Sequence, residues 1–96
     1  MKKVVLSADS DYMLYLVDDE VADHLHEYCL KFANEWVYSD IKYRCGEGVC
    51  FDESDFIEWL NKYKFPDKPS FFVENLGNIS PKDLPEHCKK YKKFNF

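Results

Sequence analysis

The residues in this 96-residue chain with chemistry to offer are four cysteines, three histidines and eighteen carboxylates. Cys45 and Cys50 have four residues between them, in the run Cys45-Gly46-Glu47-Gly48-Val49-Cys50. Zinc knuckles and redox motifs commonly leave about two. His87 and Cys88 would complete a Cys45/Cys50/His87/Cys88 zinc set, although adjacent ligands are awkward to aim at one ion. Cys50 stands two residues before Asp52, a candidate helix N-cap, where a helix N-terminus favours a thiolate. It is the best nucleophile candidate, with His24 or His87 as conceivable base. No spacing brings either base to it. Cys50 and Cys45 therefore mark a candidate thiol site against the plainer reading of incidental thiols.

The other constellations are weaker. Glu20 and His24 are four apart, a spacing that lets the side chains meet on a helix as an acid/base pair or a plain surface pair. His24 and His26 point to different faces, unlike a zinc-binding pair at i and i+4. Glu47, Asp52 and Glu53 would suit a hard cation, but the helix dipole already accounts for two of them. Gly46 and Gly48 allow a tight turn or a ligand cradle, yet the Lys and Ser/Thr of a phosphate loop are missing. From these residues no catalytic, cofactor-binding or metal-binding role is assigned.

The elements that must position them read as follows. Lys3 to Ala8 and Tyr12 to Val17 are short apolar runs across an Asp9-Ser10-Asp11 turn, which predicts an antiparallel hairpin. Asp18 caps a long first helix over residues 19 to 38. Its stripe is Val21, Leu25, Tyr28, Phe32 and Trp36, widened by Cys29 and Ala33. Ile41 to Arg44 reads as a short strand or an extended connection, and the glycine-bearing run after it as a loop. Asp52, with Asp55 three residues on, starts a second helix to about Lys62. Phe56, Ile57, Leu60 and Tyr63 form its apolar face, and Trp59 lies at the margin. Pro66 and Pro69 end it. Ser70 to Glu74 is a third strand, Ser80-Pro81 begins a short helical turn, and Phe94 and Phe96 dock the last residues. The fold class is α+β, ordered β-β-α-(β)-α-β, in one domain over 1–96. Three or four mainly antiparallel strands carry the first helix on one face. That helix is expected to bury its stripe against Val5, Leu14, Leu16 and Phe72.

Gly46 to Cys50, Asp55-Phe56-Ile57-Glu58-Trp59-Leu60-Asn61, Val73-Glu74-Asn75-Leu76-Gly77 and Phe94-Asn95-Phe96 together resemble a family of small uncharacterised bacterial proteins. The resemblance spans nearly the whole chain. It implies a bacterial, single-domain, cytosolic protein and brings no reaction, ligand or functional residue.

Composition narrows the function classes. Formal net charge is −5, distributed as −6 over residues 1–40, −2 over 41–79 and +3 over 80–96. An acidic body argues against nucleic acid, whose phosphates need Lys and Arg. No run approaches the ~18 apolar residues of a membrane helix. Met1-Lys2-Lys3 would suit a signal peptide, but the apolar stretch stops before Asp9, so a cytoplasmic protein with reduced thiols is expected. Seven Tyr, eight Phe and two Trp are more rings than so small a core can enclose. Surplus rings imply a contact surface, with Trp59, Tyr12, Tyr15, Phe94 and Phe96 as candidates. The leading expectation is a non-enzymatic protein–protein interaction module, self-associating or inhibitor-like, with an unknown protein or itself as partner. The alternative is a small enzyme or ligand-binding protein with a pocket near Cys45–Asp52.

Overall fold

A computed structural model describes residues 1–8 and 11–96, the Pro81 side chain apart. The turn residues Asp9 and Ser10 lie outside the described residues. The fold is α+β, with a four-stranded, mainly antiparallel sheet in the order β5-β2-β1-β6. Strands β1 (Lys2–Ser7) and β2 (Tyr12–Val17) form the expected hairpin, with Val4 opposite Tyr15. Strand β5 (Phe71–Gly77) pairs antiparallel with β2 on one side. Strand β6 (Lys92–Asn95) pairs parallel with β1 on the other. The fourth strand is thus this late segment. Ile41–Tyr43 is instead a 3-10 turn. It leads into a separate two-residue hairpin of β3 (Arg44–Cys45) and β4 (Gly48–Val49), with Gly46 turning at φ 62.

The first helical arm starts where expected. Asp18 accepts the Glu20 backbone N–H at 3.1 Å, satisfying one of the free donors of the first turn. The arm is not one unbroken helix. It runs as α1 (Asp19–Asp23), α2 (Leu25–Lys31), a π-helical turn at Phe32–Trp36 and α3 (Val37–Ser39). It breaks at His24, with φ −126 and ψ 36. There the Asp23 carbonyl accepts from Lys92 Nζ at 2.9 Å, and the Asp23 carboxylate holds Lys2 at 2.6 Å. Sheet residues thus take up the polar groups of the last α1 residue.

The second arm, α4 (Glu53–Trp59), opens with a full capping box. The Asp55 N–H reaches Asp52 Oδ1 at 3.1 Å and the Asp52 N–H reaches Asp55 Oδ2 at 3.0 Å. It ends in a second π turn at Leu60–Lys64, two residues beyond the predicted end. That turn carries Tyr63 to the surface at 49% exposure, against the expectation of an apolar-face position.

Both arms cover one sheet face. Val4, Leu6, Tyr15 and Val17 meet Val21, Leu25, Cys29, Phe32, Phe56 and Leu60 there. Val5 and Leu14 do not face the arms as expected. They point through the sheet to Cys88, Tyr12, Leu76 and Tyr91, beneath α5 (Glu86–Lys89). Successive side chains on a strand alternate faces, so Val4 and Val5 serve different cores. Leu16 is only half-buried, and Phe72 is 56% exposed rather than core. Because α5 covers the second face, the sheet is buried on both sides near its centre.

Candidate interaction surface

Cys45 and Cys50 come together across the small hairpin, both exposed. A hydrogen bond with Cys45, helped by partial desolvation, holds the Cys50 thiol above its ordinary range. A raised thiol stays protonated near neutral pH, the opposite of what a nucleophile needs. The α4 N-terminus is occupied by its own capping box and leaves little dipole for Cys50. The concavity here, beside Tyr38, Arg44 and Glu47, measures about 220 Å³. Cys88 is wholly buried under the far sheet face. Among the described residues no three His, Cys, Asp or Glu side chains converge on a metal position, so the Cys45/Cys50/His87/Cys88 set is not assembled. His24 Nδ1 lies 3.5 Å from Glu27 rather than Glu20, and Glu20 accepts instead from the Tyr28 hydroxyl at 3.4 Å.

The rings named for a surface mostly turn inward. Tyr15 and Trp59 are 5% and 2% exposed, which removes both from it. Phe94 and Phe96 are half-buried, their rings 4.9 Å apart, and Phe96 stacks on toward Phe56 at 5.4 Å. Tyr12 is half-buried against the second core. Local ring-to-ring packing therefore absorbs more of the aromatic surplus than a count of rings predicts.

Exposed apolar side chains occur singly at positions such as Tyr38 and Ile41, and in an unbroken run on β5. Phe71, Phe72 and Val73 stand in a row with 53%, 56% and 43% exposure, and Glu74 after them is exposed. Among the described residues the strand pairs with β2 on one side only, so its outer backbone groups face away from the sheet. It is rigidly started. Asn61 donates to the Ser70 carbonyl at 3.1 Å and accepts the Ser70 N–H at 2.7 Å, fixing both backbone groups. It ends at Gly77, whose φ of 91 favours glycine and whose N–H goes to Asn75 Oδ1 at 2.7 Å.

No protein-family model, curated protein or solved structure matches the chain.

The two sheet edges are unequal. Strand β6 is four residues long and carries Lys92 and Lys93, and Lys93 Nζ folds back onto the carbonyls of Lys89 and Tyr91 at 2.8 and 2.9 Å. Short length and lysines are how sheets protect an edge. Strand β5 has seven residues, three consecutive apolar side chains and one charge, Glu74. Sequence reasoning missed Phe71 and Val73 because an apolar run reads equally well as a central strand. The available signal was Pro69 just ahead, since proline is tolerated at a sheet edge.

Proposed function

We propose that the protein is a non-enzymatic interaction module that binds a second copy of itself by pairing the β5 strands edge to edge. The observation that carries this is the long, apolar edge of β5, unpaired among the described residues, in a sheet whose other edge is guarded. Strand addition supplies affinity through main-chain hydrogen bonds and specificity through alternate side chains.

The residues of β5 favour a self-complementary register. An antiparallel pair related by a two-fold axis places one residue opposite itself. Centring on Glu74 would oppose two carboxylates, which destabilises the pair. Centring on Val73 sets Phe72 against Glu74. Centring on Phe72 sets Phe72 on Phe72 and Phe71 on Val73, matching apolar with apolar, and puts Glu74 opposite Ser70, just before the strand, whose backbone groups are held by Asn61. The two sheets then continue as one of eight strands. An interface of this kind is small beside the roughly 1,200 Å² of stable complexes, so the dimer is weak and concentration-dependent. Two chains of charge −5 repel at long range, so salt strengthens the pairing.

A cytoplasmic, bacterial setting goes with this reading. It is supported by four free cysteines and by the resemblance at Gly46–Cys50, Asp55–Asn61, Val73–Gly77 and Phe94–Phe96. No helix among the described residues is long and apolar enough to cross a membrane. The alternative of an enzyme near Cys45–Asp52 finds little support in a protonated, exposed thiol beside a small concavity.

Light scattering coupled to size exclusion tests the proposal, from low micromolar to near-millimolar protein. The wild-type chain moves from monomer toward dimer, further in high salt, and Phe72→Lys stays monomeric. A wild-type chain that remains monomeric throughout overturns the reading.

A further inference from the structure

The sheet edge away from β5 carries a notch. Strand β6 begins at Lys92, opposite Val4, so Lys2 and Lys3 of β1 have no strand beside them on that side among the described residues. A cavity of about 500 Å³ opens at this notch, and Lys2, Lys3, Lys90 and Lys92 line it together with Asp23. Four ammonium groups against one carboxylate give these side chains a net charge of +3, in a chain of net charge −5. Chain order hides the cluster. Its two lysine pairs lie at opposite ends of the sequence, and the parallel pairing of β1 with β6 brings them together.

Two of the lysines are held in place. Lys2 Nζ pairs with the Asp23 carboxylate at 2.6 Å, and Lys92 Nζ donates to the Asp23 carbonyl at 2.9 Å. An ammonium group has three donors, so both keep donors to spare. Lys3 and Lys90 are exposed and take part in none of the ion pairs among the described residues. Lys90 Nζ stands 5.7 Å from the centre of the Tyr91 ring, another residue of the cavity wall. Cations gathered around one cavity repel one another, and an anion placed among them relieves that repulsion.

We infer that this cavity binds a small organic dianion with an apolar body, such as a phosphate monoester. The charge of the lining sets the charge of the ligand. Asp23 matches Lys2, which leaves Lys3, Lys90 and Lys92, more than a monoanion offsets. Lysine recognises phosphate as a point charge, without the fixed fork that arginine needs. Leu16 and Tyr91, both half-buried, supply the apolar part of the wall. The volume lies within the range of small-molecule sites. Lys2 and Lys92 are already fixed by Asp23, so less side-chain freedom is lost on binding.

Phenyl phosphate, held above its second ionisation, is the probe. Inorganic phosphate has the charge without the body, and benzyl alcohol has the body without the charge. In ¹⁵N-labelled protein at low ionic strength, phenyl phosphate shifts the backbone amides of Lys2, Lys3, Tyr91 and Lys92 saturably. Inorganic phosphate binds there roughly tenfold more weakly, and benzyl alcohol leaves the amides unshifted. Lys3→Gln and Lys90→Gln, both at exposed positions, each weaken phenyl phosphate roughly fivefold. Lys62→Gln, at an exposed position of the second arm outside the cavity, leaves its affinity unchanged. Unshifted amides, inorganic phosphate binding as tightly as the ester, or an equal loss in Lys62→Gln overturns the inference.

Discussion

Phe32 meets Phe96 edge to face, ring centroids 6.2 Å apart at 80°. Phe32 also touches Tyr43, Phe51, Phe56 and Trp59, all within 5.8 Å. One fully buried ring in the first arm therefore joins the second arm, the residues flanking the small hairpin and the segment after β6. Phe32→Ala removes this centre and is expected to destabilise by about 3–5 kcal/mol. Phe96, half-buried, loses about 2 kcal/mol on the same change. Urea unfolding followed by circular dichroism measures both. Equal, small effects would mean the ring cluster contributes little.

The parts legible in the sequence are those governed by neighbours along the chain. Asp18 and the Asp52–Asp55 box announce their helices, and Val4 to Leu6 and Leu14 to Val17 announce the hairpin. What stayed hidden depends on distant partners. Val4 and Val5 are both valine, so no pattern says which faces the arms. Strand β6 has the composition of a solvated tail and exists because β1 offers an edge and the Phe96 N–H reaches the Ser7 carbonyl at 2.7 Å. The π turns leave no sequence signature, so Trp59 looked marginal and Tyr63 central, the reverse of what is found. The thiol pair at Cys45 and Cys50 was legible as a pair but not its mutual hydrogen bond. Edge and central strands differ by neighbours, which β5 alone does not reveal.

Asn61 fixes the entry to β5, so its loss reaches the interaction surface. Asn61→Ala leaves both Ser70 backbone groups without their partner and is expected to destabilise by about 1–3 kcal/mol. Dimerisation weakens in parallel, because the strand start is no longer held. Asn61→Asp keeps only the acceptor and is intermediate. Thermal unfolding with light scattering reads both effects, and unchanged dimerisation in a folded Asn61→Ala chain would break the link.

Tyr15 gives the fold an alkaline limit. Burial, then the nearby Glu53 and Asp52 carboxylates, push its hydroxyl from 10.0 up to about 12. A group raised on folding contributes stability that is intact below its unfolded pKa and lost as pH rises through the folded one. Stability therefore falls by roughly 2–3 kcal/mol between pH 10 and 12 on this account alone. The buried Cys29 thiol, also pushed up by desolvation, adds to the fall. In Tyr15→Phe the unfolding free energy declines less steeply over the same window. Identical slopes for the two proteins would assign the effect elsewhere.

Thiol accessibility divides the cysteines in two. Cys45 and Cys50 are exposed, and Cys29 and Cys88 are fully buried. Folded protein is expected to release two equivalents quickly with an aromatic disulfide reagent and two only on unfolding. The Cys50 rate rises at a higher pH than a free thiol's, because Cys45 stabilises its protonated form. Cys45→Ala brings that midpoint down. A fast Cys50 reaction below neutral pH would instead revive the nucleophile reading.

The pairing of two β5 strands is most directly read by amide hydrogen exchange, resolved by residue, in dilute and in concentrated solution. The account predicts that outward-facing backbone amides between Phe71 and Glu74 gain protection as concentration rises, while β6 amides do not change. Exchange along β5 that is the same at both concentrations would contradict it.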